Sequence, residues 1–196
     1  MELHELADGL WGWRQPHPEW KPGLGWDPPV NSFLLTTDGL AILMDALVPE
    51  PWPWLDERVA NHEVHVVQLK PDHDRSRDEL AERYRGRVWK PGDYFPGDEL
   101  PGGLVAQFDG RFRGECPMWI PEHRTLVFAD AVISDRDGDL RIWWCEWHRE
   151  YVVPAFRRLL ELPVERVLVA HGAPIAHDGT ELERALARPL WQPPSE

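Results

Sequence analysis

Apolar residues fall in short runs separated by turn residues, the pattern of a chain rich in strands. Phe33-Leu34-Leu35-Thr36-Thr37 and Leu40-Ala41-Ile42-Leu43-Met44-Asp45 flank Asp38-Gly39, which predicts a hairpin closed by a tight turn. Residues 64–69 predict a third, strongly apolar strand. Ser76 is placed to cap a helix running to about Arg85, and Val88-Trp89 follows as a short strand. A loop rich in Pro, Gly and Asp spans 90–103, and strands are expected at 104–108, 116–120 and 125–130. In the last third, Pro154 suits the first turn of a helix through Leu162, with Phe156, Leu159 and Leu160 on its apolar face. Residues 166–170 form a strand opening into His171-Gly172, and Asp178 caps a final helix through Ala187. The strands fall in two groups, each closing with a strand-helix unit. No repeat, low-complexity tract or linker interrupts the chain, so 1–196 reads as one domain.

Composition narrows the function classes. Lys and Arg number 21 against 34 Asp and Glu, a formal charge of −13. So acidic a surface repels phosphate backbones and anionic lipid, which excludes nucleic acid and membrane surfaces as partners. A small-molecule substrate or ligand fits better, and the Trp-rich cluster at 143–148 reads as pocket lining or a homodimer contact. Met1-Glu2-Leu3-His4-Glu5 lacks the basic and apolar regions of a signal peptide, and no apolar run has bilayer length. Cys116 and Cys145 read as buried thiols rather than a disulfide, and a cytoplasmic location is expected. Twenty prolines and twelve tryptophans concentrate in segments such as 11–26 and 51–54, which read as ordered loops.

Three polar points follow apolar strands: Asp72-His73, Asp130 and His171-Gly172. Strand ends converge at one rim of a sheet, so imidazoles and carboxylates placed there can share a cation. Two imidazoles with one or two carboxylates suit zinc, iron or manganese. Solvated loop residues are the competing reading.

The order of these segments resembles the metallo-β-lactamase superfamily. Val30-Asn31-Ser32-Phe33-Leu34-Leu35 with Leu43-Met44-Asp45 is similar to that family's opening, and Gln68-Leu69-Lys70-Pro71-Asp72-His73 to its HxHxDH motif. Gly114 to Asp130 resembles its central segment, and Val167-Leu168-Val169-Ala170-His171-Gly172-Ala173-Pro174 its closing one. The resemblance implies an α+β fold, a four-layer αββα sandwich of two mixed sheets with helices outside. It also implies a two-metal site that is half present. The first metal's histidines are replaced by Gln68, Lys70 and, on the best alignment, Arg111. Asp72, His73 and His171 stand at the second metal's positions, Asp130 at the bridging carboxylate, and Asp45 at a position that orients ligands.

Lys70 and Arg111 bring cationic heads to where a dication would sit. Opposite charges about 4 Å apart attract by roughly 4 kcal/mol at an effective dielectric near 20, enough to offset repulsion between Asp72 and Asp130. Two readings are open. In one, a single divalent metal on Asp72, His73, Asp130 and His171 serves hydrolysis of an ester, lactone, thioester or phosphodiester, with Lys70 or Arg111 stabilising the oxyanion. In the other no metal is bound, Lys70 and Arg111 replace its charge, and the pocket of a non-catalytic pseudoenzyme binds a ligand or partner.

Overall fold

The computed structural model describes residues 1–24, 26–107 and 114–192. The first sheet comprises β1 (Glu2–Ala7), β2 (Leu10–Pro16), β3 (Pro29–Thr37), β4 (Leu40–Met44), β5 (Glu63–Val67) and β6 (Arg87–Trp89), paired in sequence order. Its first four strands run antiparallel; β4, β5 and β6 run parallel. Helices α1 (Pro53–Val59) and α2 (Arg77–Tyr84) supply the two parallel crossovers. The second sheet is built from β7 (Glu99–Leu100), β8 (Leu104–Ala106), β9 (Met118–Ile120), β10 (Thr125–Phe128), β13 (Arg166–Val169) and β14 (Ala176–Asp178), with β10 parallel to β13. Between them in sequence lie the hairpin β11 (Val132–Ser134) and β12 (Leu140–Ile142), a π-helical turn at His148–Val152 and helix α3 (Val153–Leu159). Helix α4 (Thr180–Ala187) follows β14.

Side-chain alternation on the strands builds the four layers. On β3 and β4, Phe33, Leu35, Ile42 and Met44 face inward and meet Met118, Ile120, Val127 and Leu168 of the second sheet. Their neighbours Leu34, Ala41 and Leu43 face outward, under Leu55 and Val59 of α1 and Leu80 of α2. Leu126, Phe128, Val167 and Val169 point outward from the second sheet to Phe156, Leu159, Leu182 and Leu186 of α3 and α4. The architecture is an αββα sandwich. No helix among the described residues is long and apolar enough to cross a membrane.

Several local readings change. The tryptophan-rich segment is not all loop: Trp11 and Trp13 belong to β2, and Trp13 is fully buried with Nε1 donating to Leu47 O at 3.2 Å. Pro53 starts α1 instead of closing a loop, as suits a residue that needs no N–H in a first helical turn. Ser76 precedes α2, but its hydroxyl accepts Val48 N–H at 3.0 Å and does not cap the helix. Asp38 and Gly39 both have positive φ, 36° and 78°, the left-handed pair that a two-residue hairpin of matching twist requires. Cys116 is buried, Cys145 half-buried, and they form no disulfide.

Candidate metal centre

The chain leaves β4, β5, β10 and β13 at the same edge of the sandwich, and each exit carries a polar residue. Asp45 follows β4, the 68–75 turn follows β5, Asp130 follows β10 and His171 follows β13. The two sheets are stitched together there. Asn31 N–H donates to Ala170 O at 2.8 Å, and its side-chain amide donates to Val169 O at 2.7 Å and Gly172 O at 3.0 Å.

Asp45 is buried and oriented by its own contacts. Its Oδ1 accepts Leu69 N–H at 2.7 Å, and its Oδ2 meets His73 Nδ1 at 2.7 Å. In the neutral ring, a proton on Nδ1 donated to Asp45 leaves the Nε2 lone pair pointing into the site. Nε2 of His73 lies 2.9 Å from Asp130 Oδ1, and Nε2 of His171 lies 3.1 Å from the same oxygen. That oxygen is buried and makes no aligned hydrogen bond, although the carboxylate as a whole is 36% exposed. The three donor atoms lie within 4.8 Å of one another.

An acceptor oxygen facing two imidazole nitrogens is stable only if protons or a cation intervene. Burial pushes the His73 imidazolium down, but Asp45 and Asp130 outweigh it and raise its pKa to about 9. Burial opposes the charge of Asp130 too, and His73 and His171 more than offset it, holding the carboxyl well below the usual range. His171 is shifted down, chiefly by burial, against the pull of Asp130. Two nitrogens and one oxygen form a donor set suited to a borderline divalent ion, whose tetrahedral ligands stand roughly 3.3 Å apart for bonds of about 2.0 Å. The residues present therefore fit one cation.

Asp72 is not part of this group. Lys70 Nζ binds both oxygens of Asp72 and also Asp130 Oδ2, the latter at 2.9 Å. The ammonium is 19% exposed while Asp72 is 70% exposed, so the turn swings Asp72 outward onto the lysine. A half-buried ammonium needs counter-charge, and Asp72 is the nearest carboxylate along the chain. Gln68 is buried and braces the turn. Its amide donates to Lys70 O and Pro71 O, both at 2.8 Å, and its Oε1 accepts Arg77 Nη1 at 2.6 Å. Arg111 lies outside the described residues.

Two charged side chains escaped sequence reasoning, Glu115 buried and Arg75 half-buried. Glu115 accepts three consecutive backbone N–H groups, from Ala129 at 3.0 Å, Asp130 at 2.9 Å and Ala131 at 2.6 Å. It thereby fixes the backbone that carries Asp130. Burial raises its pKa to about 7, with Asp130 adding to the shift and the three N–H groups opposing it. Arg75, at φ 42°, donates Nη1 to Asn31 O at 2.6 Å and to Asp45 O. The only sequence signal for either was a charge set among residues already singled out.

A cleft of about 2090 Å³ opens over the group. Trp20 and Trp26, from the β2–β3 connection, line it together with Trp143, Trp147 and Trp191. Trp26 packs edge-on against His171 at 5.3 Å between ring centroids.

Among solved structures, a metallo-β-lactamase from Pontibacter korlensis matches with a TM-score of 0.69 at 15% identity, over 95% of this chain and 97% of that one. The FIM-1 metallo-β-lactamase from Pseudomonas aeruginosa, solved in its mono-zinc form, matches with a TM-score of 0.65 at 14% identity, over 95% and 94% of the two chains. The chain has the metallo-β-lactamase fold. A β-lactamase domain protein from Burkholderia ambifaria also matches, with a TM-score of 0.65 at 17% identity, over 94% of this chain and 74% of that one. No family model and no curated protein matches the sequence.

Proposed function

We propose that the chain is a hydrolase that uses a single divalent cation held by His73, Asp130 and His171. Its substrate is an ester, lactone, thioester or phosphodiester bound in the tryptophan-lined cleft. The observation that carries this reading is Asp130 Oδ1, a buried oxygen that faces two imidazole nitrogens without an aligned hydrogen bond. When bound, a divalent cation polarises a carbonyl or phosphoryl oxygen and lowers the pKa of a water on it. The chain's own residues prepare the site. Asp45 holds His73 in the tautomer that exposes Nε2, Lys70 engages Asp130 Oδ2 so that Oδ1 faces the imidazoles, and Glu115 anchors the Asp130 backbone. The mono-zinc form of the Pseudomonas aeruginosa structure supports zinc as the first ion to try. Protein purified without chelator is expected to carry about one equivalent of zinc, iron or manganese by elemental analysis. A His73→Ala/His171→Ala variant is expected to carry none. Equal metal in both proteins would reject this ligand set.

The Lys70 ion pairs favour a second reading, a pseudoenzyme whose pocket is charge-balanced without metal. Removing that ammonium separates the two. If Lys70 only supports a single-cation site, Lys70→Ala still binds one equivalent, about tenfold more tightly because a repelling charge is gone. If Lys70 stands in for the metal, equilibrium dialysis finds no zinc on the wild type and uptake only by Lys70→Ala.

A further inference from the structure

Hydrolysis builds negative charge on a carbonyl or phosphoryl oxygen, and that oxygen is stabilised by hydrogen-bond donors already aimed into the cleft. The two half-buried cationic side chains beside the site are each held by partners of their own. Lys70 is held by Asp72 and Asp130. Arg75 lines the cleft but uses Nη1 on two backbone carbonyls, and its Nη2 is buried without a hydrogen-bond partner.

His17 differs from both. It follows β2 directly and lines the cleft with His73, Asp130 and His171. Its backbone is fixed at both ends: its N–H donates to Pro28 O at 2.8 Å, and its carbonyl accepts Trp20 N–H at 3.1 Å. Its ring meets Trp26 edge to face at 5.6 Å and 89°, and Trp26 in turn packs on His171. Nδ1 accepts the N–H of Glu19 at 3.2 Å, so the neutral ring carries its proton on Nε2. Nε2 has no partner among the described residues. Burial and then the charge of Arg75 hold His17 below the ordinary histidine pKa, with His171 and His73 acting alike and Glu19 opposing. A neutral N–H neither repels a neighbouring cation nor collapses onto Asp130 as an ion pair.

We propose that the Nε2–H of His17 is a catalytic hydrogen-bond donor to the substrate oxygen that gains charge during hydrolysis, which rests on the hydrolytic reading above. In that step the oxygen of water bonds to the carbonyl carbon or phosphorus, and the bond to an alkoxide or thiolate breaks. The protons of water end on the leaving group and the released acid; His17 keeps its own.

The test compares wild type, His17→Gln and His17→Phe, each loaded with zinc, on p-nitrophenyl acetate and bis(p-nitrophenyl) phosphate. His17→Phe is expected to lower kcat by about 100-fold with KM, metal content and Tm unchanged. His17→Gln, whose side-chain amide supplies an N–H, is expected to recover most of that loss. In His17→Ala, added imidazole is expected to restore rate, an outcome that a merely structural role would not produce. An unchanged kcat in His17→Phe, a change confined to KM, or equal losses in the Gln and Phe variants would overturn the assignment of His17 alone. If wild-type protein with bound zinc hydrolyses neither probe, this assignment and the hydrolytic reading fall together.

Discussion

Glu115→Ala is expected to lower the free energy of unfolding by about 3 kcal/mol, measured by tryptophan fluorescence in urea. The carboxylate receives three consecutive backbone N–H groups at the end of β10. A buried donor stripped of its acceptor costs about 1–3 kcal/mol, and water entering the vacated space recovers part of the sum. The same loss frees the backbone under Asp130, so metal stoichiometry is expected to fall with stability. Glu115→Gln keeps one acceptor oxygen but turns an amide N–H toward the remaining donors, and an intermediate loss is expected. Wild-type stability in the alanine variant would show that these bonds are replaceable and that Glu115 does not hold the site.

Gly172→Ala is expected to be at least as damaging. Gly172 has φ 89°, and a Cβ built on it would lie 1.9 Å from Ser134 O and 2.7 Å from Ser134 C. Both obstacles are backbone, so no rotamer change relieves them. A left-handed conformation also costs an L-residue with Cβ about 1–2 kcal/mol before any clash. A destabilisation of about 3–5 kcal/mol is expected in the same urea assay, within the range of severe backbone strain. His171 precedes this glycine, so its imidazole moves with the displaced loop. Elemental analysis of any folded fraction is expected to show metal loss. Gly23→Ala is the control: that glycine has φ 90° with nothing within 4 Å of its added Cβ, so it reports the conformational cost alone.

Legibility in the sequence followed the range of the forces involved. The β3–β4 hairpin was readable because Phe33, Leu35, Ile42 and Met44 alternate with residues of the opposite face, and Asp38-Gly39 fixes the turn locally. The β1–β2 hairpin was not. Gly12 looks like a loop residue, yet it sits in β2 because Ile175 fills the space beside it, with Cδ1 2.6 Å from where a Cβ would lie. That contact comes from the far end of the chain. At the site, His73, Asp130 and His171 each follow an apolar strand, so their meeting at one edge was readable from local pattern. The outward turn of Asp72 was not, since it depends on which carboxylates the Lys70 side chain reaches. Glu115 and Arg75 stayed silent for a similar reason. Their partners are backbone N–H and C=O groups of distant segments, and backbone groups carry no sequence signal.

Asn31 joins β3 to the end of β13 by three hydrogen bonds, so the edge bearing the site is also the seam between two halves of the molecule. His73 comes from one half, and Asp130 and His171 from the other. A cation shared by them would act as a cross-link between chain segments far apart in sequence, closing long loops much as a disulfide does. Chelation would then weaken the cohesion of the two halves as a whole, beyond any local loosening of the loops that carry the ligands.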